Sequence, residues 1–119
     1  IITYGMGVHW AKDLVEELDH SGTVIEIIDL RSLLPIDWKT IMTSVKKTHR
    51  VLLLQEASQT MGPMSEIAAY ISEHGFHYLD APIHRVSSLD TPIPFNKHLE
   101  QGYLANARLK ASMLDLLSY

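Results

Sequence analysis

The sequence contains no cysteine, which excludes a disulfide framework and metal sites built from thiolates. No apolar run approaches the ~20 residues that a membrane-spanning helix needs, and no signal peptide is recognisable. Lysine and arginine together number only 10, and no basic run exceeds Lys46-Lys47, so a nucleic acid is not an expected partner. We therefore expect a cytoplasmic protein that binds neither a membrane nor a nucleic acid.

The residues that are present have the composition of a globular domain. Hydrophobic residues make up 46% of the 119 and charged residues 20%, so the chain can bury a core without crosslinks. Its length fits one domain over residues 1–119. The sequence starts IITYG, without methionine and already inside a strand-like run, so we expect a fragment of a longer polypeptide.

Strand-like and helix-like apolar patterns alternate along the chain, which is typical of a parallel sheet with helices on both faces. The strands are predicted at 1–4, 24–29, 51–55 and 83–86, and loops at 56–61 and 87–96. The first helix is predicted to follow Gly5 and Gly7 and to run to about Asp19, the second to follow Asp37, the third to run from Pro63 to Gly75, and the last to span about 106–117.

The stretch 24–37, VIEIIDLRSLLPID, predicts a strand, a charged turn and the start of a helix in succession. Its first five residues are apolar or β-branched in the main, which favours a buried strand inside the sheet. The strand ends on Asp29 and Arg31, Pro35 bends the chain, and Asp37 is placed to cap a helix. Asp29, Arg31 and Asp37 could form an ion-pair cluster, either within the fold or across an interface. In an α/β domain, this end of a strand is where sites are usually built.

Residues 5–10, GMGVHW, are an incomplete form of the dinucleotide-binding pattern G-x-G-x-x-G. Asp29 follows at roughly the distance of 20 residues at which an acid binds the ribose in complete sites. However, Trp10 replaces the third glycine, which is needed for close packing of the helix on the strand. A tight turn between a strand and a helix is therefore the favoured interpretation, and cofactor binding is the minor one.

The histidines do not form a zinc pattern, because no two of them have the spacing of a ligand pair along one helix face. Only the first lies at the expected site end of the sheet, and structural or solvent-exposed roles are favoured for all of them. They are His9, His20, His49, His74, His77, His84 and His98.

Glu56 directly follows a predicted buried strand, where a carboxylate can act as a general acid or base. A backbone cap or an ion pair with an arginine is the favoured alternative. Ser58 and Ser65 lack the G-x-S-x-G pattern of a hydrolase nucleophile. The residues alone therefore give no complete catalytic site.

Several segments, in order, resemble the C-terminal domain of the β subunit of thiamine-diphosphate-dependent 2-oxo acid dehydrogenases, the decarboxylase components of the pyruvate and branched-chain complexes. Residues 29–37 resemble the family signature D-L-R-[TS]-L-x-P-[LI]-D most specifically. Three positions depart from the family: Met61 and His49 replace glycines, and Gln55 replaces an acid. The other matching segments are 44–48 (SVKKT), 55–57 (QEA), 62, 65–67 (SEI), 79–86 (LDAPIHRV) and 90–94 (DTPIP). Residues 56–60 and 79–82 are closer to the branched-chain type.

The resemblance implies a parent enzyme that decarboxylates a 2-oxo acid on thiamine diphosphate with Mg and passes the acyl group to a lipoyl arm. It implies that the coenzyme and the catalytic glutamate lie outside this chain, so we assign no catalytic, cofactor-binding or metal-binding residue to it. It implies an assembly role, with an α subunit or α half, a second β subunit and the lipoyl acyltransferase as partners. The interface or structural candidates are His9, Asp29, Arg31, Pro35, Asp37, Glu56, Gly62 and Glu66.

The resemblance also implies a three-layer α/β/α fold with four parallel strands in the order 2-1-3-4. The antiparallel edge strand of the family comes from residues before Ile1, so we expect it to be missing and strand 24–29 to have an unpaired edge. A crevice is expected between strands 1 and 3, lined by residues 5–9 and 56–62 and facing other subunits.

Two other interpretations are left open. The chain could be a stand-alone domain that binds a small molecule in the crevice. It could also be the same domain from a transketolase or a deoxyxylulose-phosphate synthase. The residues that precede this chain in its polypeptide would decide among the three.

Overall fold

The computed structural model describes residues 1–18 and 22–119; the predicted helix end at Asp19, and His20, lie outside the described residues. The strands are β1 Ile2–Thr3, β2 Ile28–Asp29, β3 Leu52–Ser58 and β4 His84–Ser88. The helices are α1 Met6–Leu18, α2 Trp38–Thr48, α3 Pro63–Gly75, α4 Lys97–Tyr103 and α5 Asn106–Leu117, with a 3-10 turn at Phe76–Tyr78. The four strands are parallel and their order is β2-β1-β3-β4, so the predicted topology is confirmed.

The core has two layers of side chains because those of β3 alternate between the two faces of the sheet. Leu52 and Leu54 pack with α1 and α5, whereas Leu53 packs with α2 and α3. Burial on both faces explains the continuous apolar run of β3, as predicted. The first layer also contains Trp10, Leu14, Leu109, Met113 and Leu116, and the second contains Ile41, Val45, Met64, Ile67 and Ile71.

The segment 24–29 is less buried than predicted. Val24 is 95% exposed, residues 25–30 are half-buried, and only Ile28–Asp29 pair regularly. This low burial follows from position, because among the described residues β2 pairs with β1 alone and lies at the edge of the sheet. The prediction of a buried interior strand is therefore wrong, and the prediction of an edge position is confirmed.

Two predicted loops are partly regular structure. Residues 56–58 continue β3, and residues 87–88 continue β4. Helix α4 was not predicted, because its seven residues are too few and too polar to show an apolar stripe. Its start is nevertheless specified locally, since the Asn96 side chain accepts the His98 N–H at 2.9 Å as an N-cap.

Arg108 of α5 fixes the position of α4 above the end of β4. Its guanidinium donates to the carbonyl oxygen of Ser87 at 2.8 Å, Gly102 at 2.9 Å, Tyr103 at 2.9 Å and Leu104 at 3.1 Å. Carbonyl groups at the end of a helix have no partner within the helix, and this fork of donors satisfies them. Hydrogen bonds from Arg108, and not extensive apolar packing, therefore hold the segment between β4 and α5 in place.

The Asp37 side chain caps α2, as predicted. It accepts the Thr40 N–H at 3.0 Å and the Thr40 hydroxyl at 2.7 Å, and these two bonds hold the pKa of Asp37 below its ordinary value. We expect Asp37→Ala to lower the melting temperature by roughly 3 to 6 °C, because the first turn of α2 loses its cap. Asp37→Asn, which can still accept the N–H bond, should lose less. Equal melting of wild type and alanine variant would contradict the cap.

Candidate functional site

The turns that follow the four strands lie together at one end of the sheet, because the strands are parallel. We name this region, residues 4–9, 29–37, 56–66 and 89–99, the carboxyl-end surface. All of the interface or structural candidates from the sequence lie in it. They belong to three separate segments, 4–9, 29–37 and 56–66, which the parallel strands bring to one side of the molecule.

The turn after β1 uses two glycines for two reasons. Gly5 has a φ of +57°, in the left-handed region that favours glycine. Gly7 lies inside α1, where an added Cβ would come within 2.1 Å of Thr3 Oγ1. Gly7 therefore allows α1 to pack closely on β1, and Trp10 is buried in the core. The favoured interpretation of GMGVHW, a tight turn between strand and helix, agrees with this geometry.

A cavity of about 540 Å³ lies between the ends of β1 and β2. This cavity differs from the crevice predicted between strands 1 and 3, because β2 and not β3 borders it beside β1. It is lined by residues of the predicted segment 5–9 but by none of 56–62, since the turn after β3 folds towards β4. Burial, together with the nearby carboxylate of Glu56, raises the pKa of Tyr4, which lines this cavity. The titratable lining residues are Tyr4, His9, Lys12, Asp29 and Arg31.

Asp29 and Arg31 pair with each other at the end of β2. Arg31 Nε donates to Asp29 Oδ2 at 2.5 Å, and the Arg31 N–H donates to Oδ1 at 3.3 Å. Arg31 adopts a φ of +55° and its side chain is largely exposed. Asp37 caps α2 and does not join them, so no three-residue ion-pair cluster forms within the fold. Pro35 follows a cis peptide bond and is exposed in the bend between β2 and α2.

Gln55 is the polar residue around which the turn after β3 is built, and sequence reasoning missed it. It is buried; its Nε2 donates to the Ser58 carbonyl at 2.7 Å and to Ser87 Oγ at 3.1 Å. Its Oε1 accepts the Met64 N–H at 3.0 Å, which satisfies a free donor at the start of α3. Gly62 packs directly against this side chain. Gln55 therefore joins β3, β4 and α3.

Glu56 and Glu66 are both exposed. Glu56 points to the opposite face of β3 from Gln55, since side chains alternate along a strand. Glu66 lies in the first turn of α3, where a carboxylate is favourable to the helix dipole. Neither carboxylate is enclosed by other side chains as a catalytic acid usually is.

Asp90 joins the turn after β3 to the turn after β4. It accepts the Thr60 N–H at 3.0 Å and the Thr60 hydroxyl at 2.6 Å, and these bonds lower the pKa of Asp90. Arg85 donates to Ser65 Oγ at 2.9 Å beside this contact. The two turns therefore form one unit, which we name the Asp90 clamp.

The described histidines that have partners make structural contacts. His49 Nδ1 lies 2.8 Å from the Tyr78 carbonyl oxygen, His84 Nδ1 lies 3.2 Å from the Ser112 carbonyl oxygen, and the His74 ring stacks on Tyr70. Among the residues that the structure describes, no three His, Asp or Glu side chains are close enough to hold a metal ion. In the same residues, no helix has the length and apolar character to cross a membrane.

Exposed apolar side chains are concentrated on the carboxyl-end surface. Twelve large apolar side chains are exposed in the described part of the chain, and eight of them follow the carboxyl end of a strand. Single exposed apolar residues are normal, whereas a concentration of them marks an interaction site. The eight are Met6, Leu33, Leu34, Met61, Leu89, Ile93, Phe95 and Leu99. The sequence feature that points to this surface is the proline-marked loop 87–96. Its apolar residues lie outside any predicted helix or strand that could bury them.

Comparison with known proteins relates the chain to one family. It matches the family described as "Transketolase, C-terminal domain" over residues 1–108. It is 46% identical over 102 residues to "Pyruvate dehydrogenase E1 component subunit beta" of Porphyra purpurea, covering 86% of this chain and 31% of that protein. It is 37% identical over 121 residues to "2-oxoisovalerate dehydrogenase subunit beta" of Bacillus subtilis (strain 168), covering 100% of this chain and 37% of that protein.

The fold agrees with this relationship. A solved structure described as "Split gene transketolase, inactive beta4 tetramer" superposes with a TM-score of 0.80 at 24% identity, covering 98% of this chain and 37% of that one. The chain spans about a third of the length of the two curated relatives. Because the family match covers most of the chain, and the strand order and layers agree with it, the chain belongs to the transketolase C-terminal domain family.

Proposed function

We propose that this chain is the assembly domain of a β-type subunit in the decarboxylase component of a 2-oxo acid dehydrogenase. Both relatives described above are named as β subunits of such enzymes. The parent enzyme would decarboxylate a 2-oxo acid and pass the acyl group to a lipoyl arm. The proposed partners are an α subunit or α half, a second β subunit and the lipoyl acyltransferase component.

The observation that carries this proposal is the apolar character of the carboxyl-end surface. Ile93 and Phe95 are exposed in a loop that Arg108 and α4 hold in place, so these side chains are presented to solvent by an ordered support. The Asp90 clamp adds charged groups next to this loop, and the Asp29–Arg31 pair adds charged groups at the opposite edge of the same surface. An apolar centre with a polar rim is the usual anatomy of a subunit interface.

We propose that the coenzyme and the reacting groups bind elsewhere in the parent enzyme, as the resemblance to the thiamine-dependent dehydrogenases implies.

The substrate is proposed only as the class of 2-oxo acids. The two relatives are named for different members of that class, pyruvate and 2-oxoisovalerate, at 46% and 37% identity. This domain contributes no proposed contact with the acid, so its sequence carries little information about which acid is used. The cytoplasmic location stays a prediction from the sequence.

Phe95→Ala tests the proposal in the complete β-type subunit produced together with its α-type partner. The Phe95 side chain is fully exposed, so its removal should leave the melting temperature of the free subunit unchanged. We expect the dissociation constant of the assembled enzyme to rise at least about tenfold, because a central aromatic residue often dominates an interface. Analytical ultracentrifugation over a concentration series measures this.

Leu114→Ala is the matched control. Leu114 is 48% exposed and lies near the end of α5, away from the carboxyl-end surface. It should change neither assembly nor melting. Normal assembly of both variants, or equal weakening by both, would contradict the proposed role of this surface.

A second candidate function, binding of a small molecule by this domain alone, is favoured by the cavity beside Tyr4. Its lining includes Lys12 and Gly5 at the start of α1, which suit an anionic ligand, while Arg31 in the same lining is paired with Asp29. Calorimetry of the 119-residue chain with nucleotides and with thiamine diphosphate tests this function. Measurable binding would favour it, and the assembly proposal expects none.

A further inference from the structure

The side chain of Gln55 makes three hydrogen bonds, and two of its partners fix which atom donates and which accepts. The Met64 N–H can only donate, so the atom that faces it must be the acceptor Oε1, at 3.0 Å. The Ser58 carbonyl can only accept, so the atom that faces it must be the donor Nε2, at 2.7 Å. Nε2 also donates to Ser87 Oγ at 3.1 Å. The position therefore requires one acceptor and one donor at fixed places on the same side chain.

Burial makes this requirement strict. Gln55 is 1% exposed and Ser87 is 4% exposed, so water cannot replace a hydrogen bond that is lost there. Gly62 packs directly against the amide group and confines it further. The three partners belong to the end of β3, to β4 and to the start of α3. One side chain therefore determines the path of the turn between β3 and α3.

In the part of the chain that the structure describes, Gln55 is held by neutral groups. Its hydrogen-bond partners are two backbone groups and a serine hydroxyl. The buried side chains of α2 and α3 that cover the same face of the sheet are apolar. The titratable groups on the surrounding elements, or just after them, are Tyr4, Lys39, Glu56, Glu66, Arg85 and Asp90. All of these except Tyr4 are exposed, so solvent screens their charges, and none of the six bonds to Gln55.

We propose that Gln55 is a positioning residue that makes the turn after β3 independent of pH, because its neutral amide supplies what a carboxyl group could supply only while protonated. A protonated acid at this position would accept the Met64 N–H with one oxygen and donate to the Ser58 carbonyl with the other. An ionised acid has no donor, so two oxygen atoms would face each other at the buried Ser58 contact.

This inference goes beyond the proposed assembly function and does not depend on it. It concerns the conformation of one turn of the carboxyl-end surface. Gln55 stands where the family that the sequence resembles has an acid. The replacement in this chain therefore removes a pH dependence that an acid would give to the turn.

Gln55→Glu in the complete subunit tests the inference, because it replaces one NH2 group by oxygen and keeps the shape of the side chain. In the closed turn the acid should keep its proton well above the ordinary glutamate pKa of about 4.3, whereas in an opened turn it should titrate near that value. Between the two pKa values the closed turn binds one proton more, so the equilibrium constant for opening should rise by about tenfold per unit of pH.

Hydrogen–deuterium exchange of residues 56–66, followed by mass spectrometry, measures the opening of this turn. Dividing the exchange rate of the variant by that of the wild type at the same pH removes the contribution of the titratable groups that both proteins share. We expect this ratio for Gln55→Glu to be at least about tenfold larger at pH 7 than at pH 5.

Gln59→Glu is the matched control, since it makes the same chemical change in the same turn on an exposed residue. Its exchange ratio should be the same at pH 5 and at pH 7. Gln55→Met keeps the length of the side chain and removes both the donor and the acceptor. It should raise the exchange of residues 56–66 by the same factor at the two pH values, which separates the loss of hydrogen bonds from the effect of charge.

Two results would overturn the inference. One is an exchange ratio for Gln55→Glu that does not change between pH 5 and pH 7, and the other is a pH dependence of equal size in Gln59→Glu or Gln55→Met. If Gln55→Glu is unfolded at pH 7, its circular dichroism at pH 5 decides. A folded spectrum at pH 5 supports the inference, and an unfolded spectrum at both pH values contradicts it.

Discussion

Replacing Gly62 with alanine is expected to lower the free energy of unfolding by roughly 3 kcal/mol. The added Cβ would lie 2.1 Å from Gln55 Nε2 and 2.5 Å from the Ser58 carbonyl oxygen. Because the carbonyl belongs to the backbone, it cannot move aside as a flexible side chain can. Gln55 would be displaced, and its bonds to Ser58, Ser87 and the Met64 N–H would be lost where water cannot replace them.

Gly102→Ala is the matched control for this prediction. Gly102 lies in α4, and a Cβ added there meets nothing within 4 Å. Alanine is favoured over glycine inside a helix, so the free energy of unfolding should stay equal or rise by up to about 1 kcal/mol. Urea unfolding of both variants and the wild type measures the difference. Similar stability of the two variants would show that close packing at Gly62 is not important.

Strand periodicity alone could have predicted that Gln55 is buried and Glu56 is exposed. Side chains alternate along a strand, so residues 51, 53 and 55 share one face and residues 52, 54 and 56 share the other. Leu53 packs against α2 and α3, which assigns Gln55 to the same covered face. Glu56 was the candidate instead, because a carboxylate that follows a buried strand can act as a general acid or base. The buried polar residue was identifiable from position alone, but its three partners were not, since they lie on different segments.

The strand order was predictable because the family that the sequence resembles has that order. The low burial of β2 was not predictable from its composition. An apolar run has the same appearance in an edge strand and in a central strand. Val24 is exposed because the side of β2 away from β1 has no described neighbour in the sheet. Helix α4 was not predicted because the contacts that stabilise it come from single residues, Arg108 and the Asn96 cap. Such contacts leave no periodic apolar pattern in the sequence.

The location of the candidate surface was predictable, and its chemistry was only partly so. Parallel strands place all of their following turns at one end, so the charged candidates such as Asp29 and Arg31 could be placed there from the sequence. Met61 was noted only as the replacement of a glycine, and Phe95 was not named, because the exposure of both side chains depends on the path of turns that the Asp90 clamp and α4 determine. The residues that now define the proposed interface were therefore visible only in the structure.

A polypeptide produced as these 119 residues alone, with Ile1 as its first residue, is expected to lose stability as the pH is lowered from 8 to 6, because of its free amino group at Ile1. This group donates to the Glu26 carbonyl at 2.7 Å, and its burial lowers its pKa from 8.0 to about 6, although Glu26 opposes the shift. Between these two values the unfolded chain binds a proton that the folded chain does not, so stability decreases as the pH falls. A difference of about two pKa units corresponds to roughly 2 to 3 kcal/mol, fully developed below pH 6.

Comparison with the same chain acetylated at Ile1 isolates this group, because the two chains carry the same side chains and differ only at this nitrogen. The acetylated nitrogen carries no titratable proton and can still donate to Glu26, and a cavity of about 120 Å³ beside Ile1 leaves room for the acetyl group. We expect the two chains to have similar free energies of unfolding above pH 8.5, and the acetylated chain to be more stable by roughly 2 to 3 kcal/mol below pH 6. Urea unfolding at half-unit steps of pH measures the difference. The difference in free energy of unfolding between the two chains depends on pH only if burial disfavours the charged amino group. A difference that stays constant with pH would therefore show that the amino group is solvated in the folded chain.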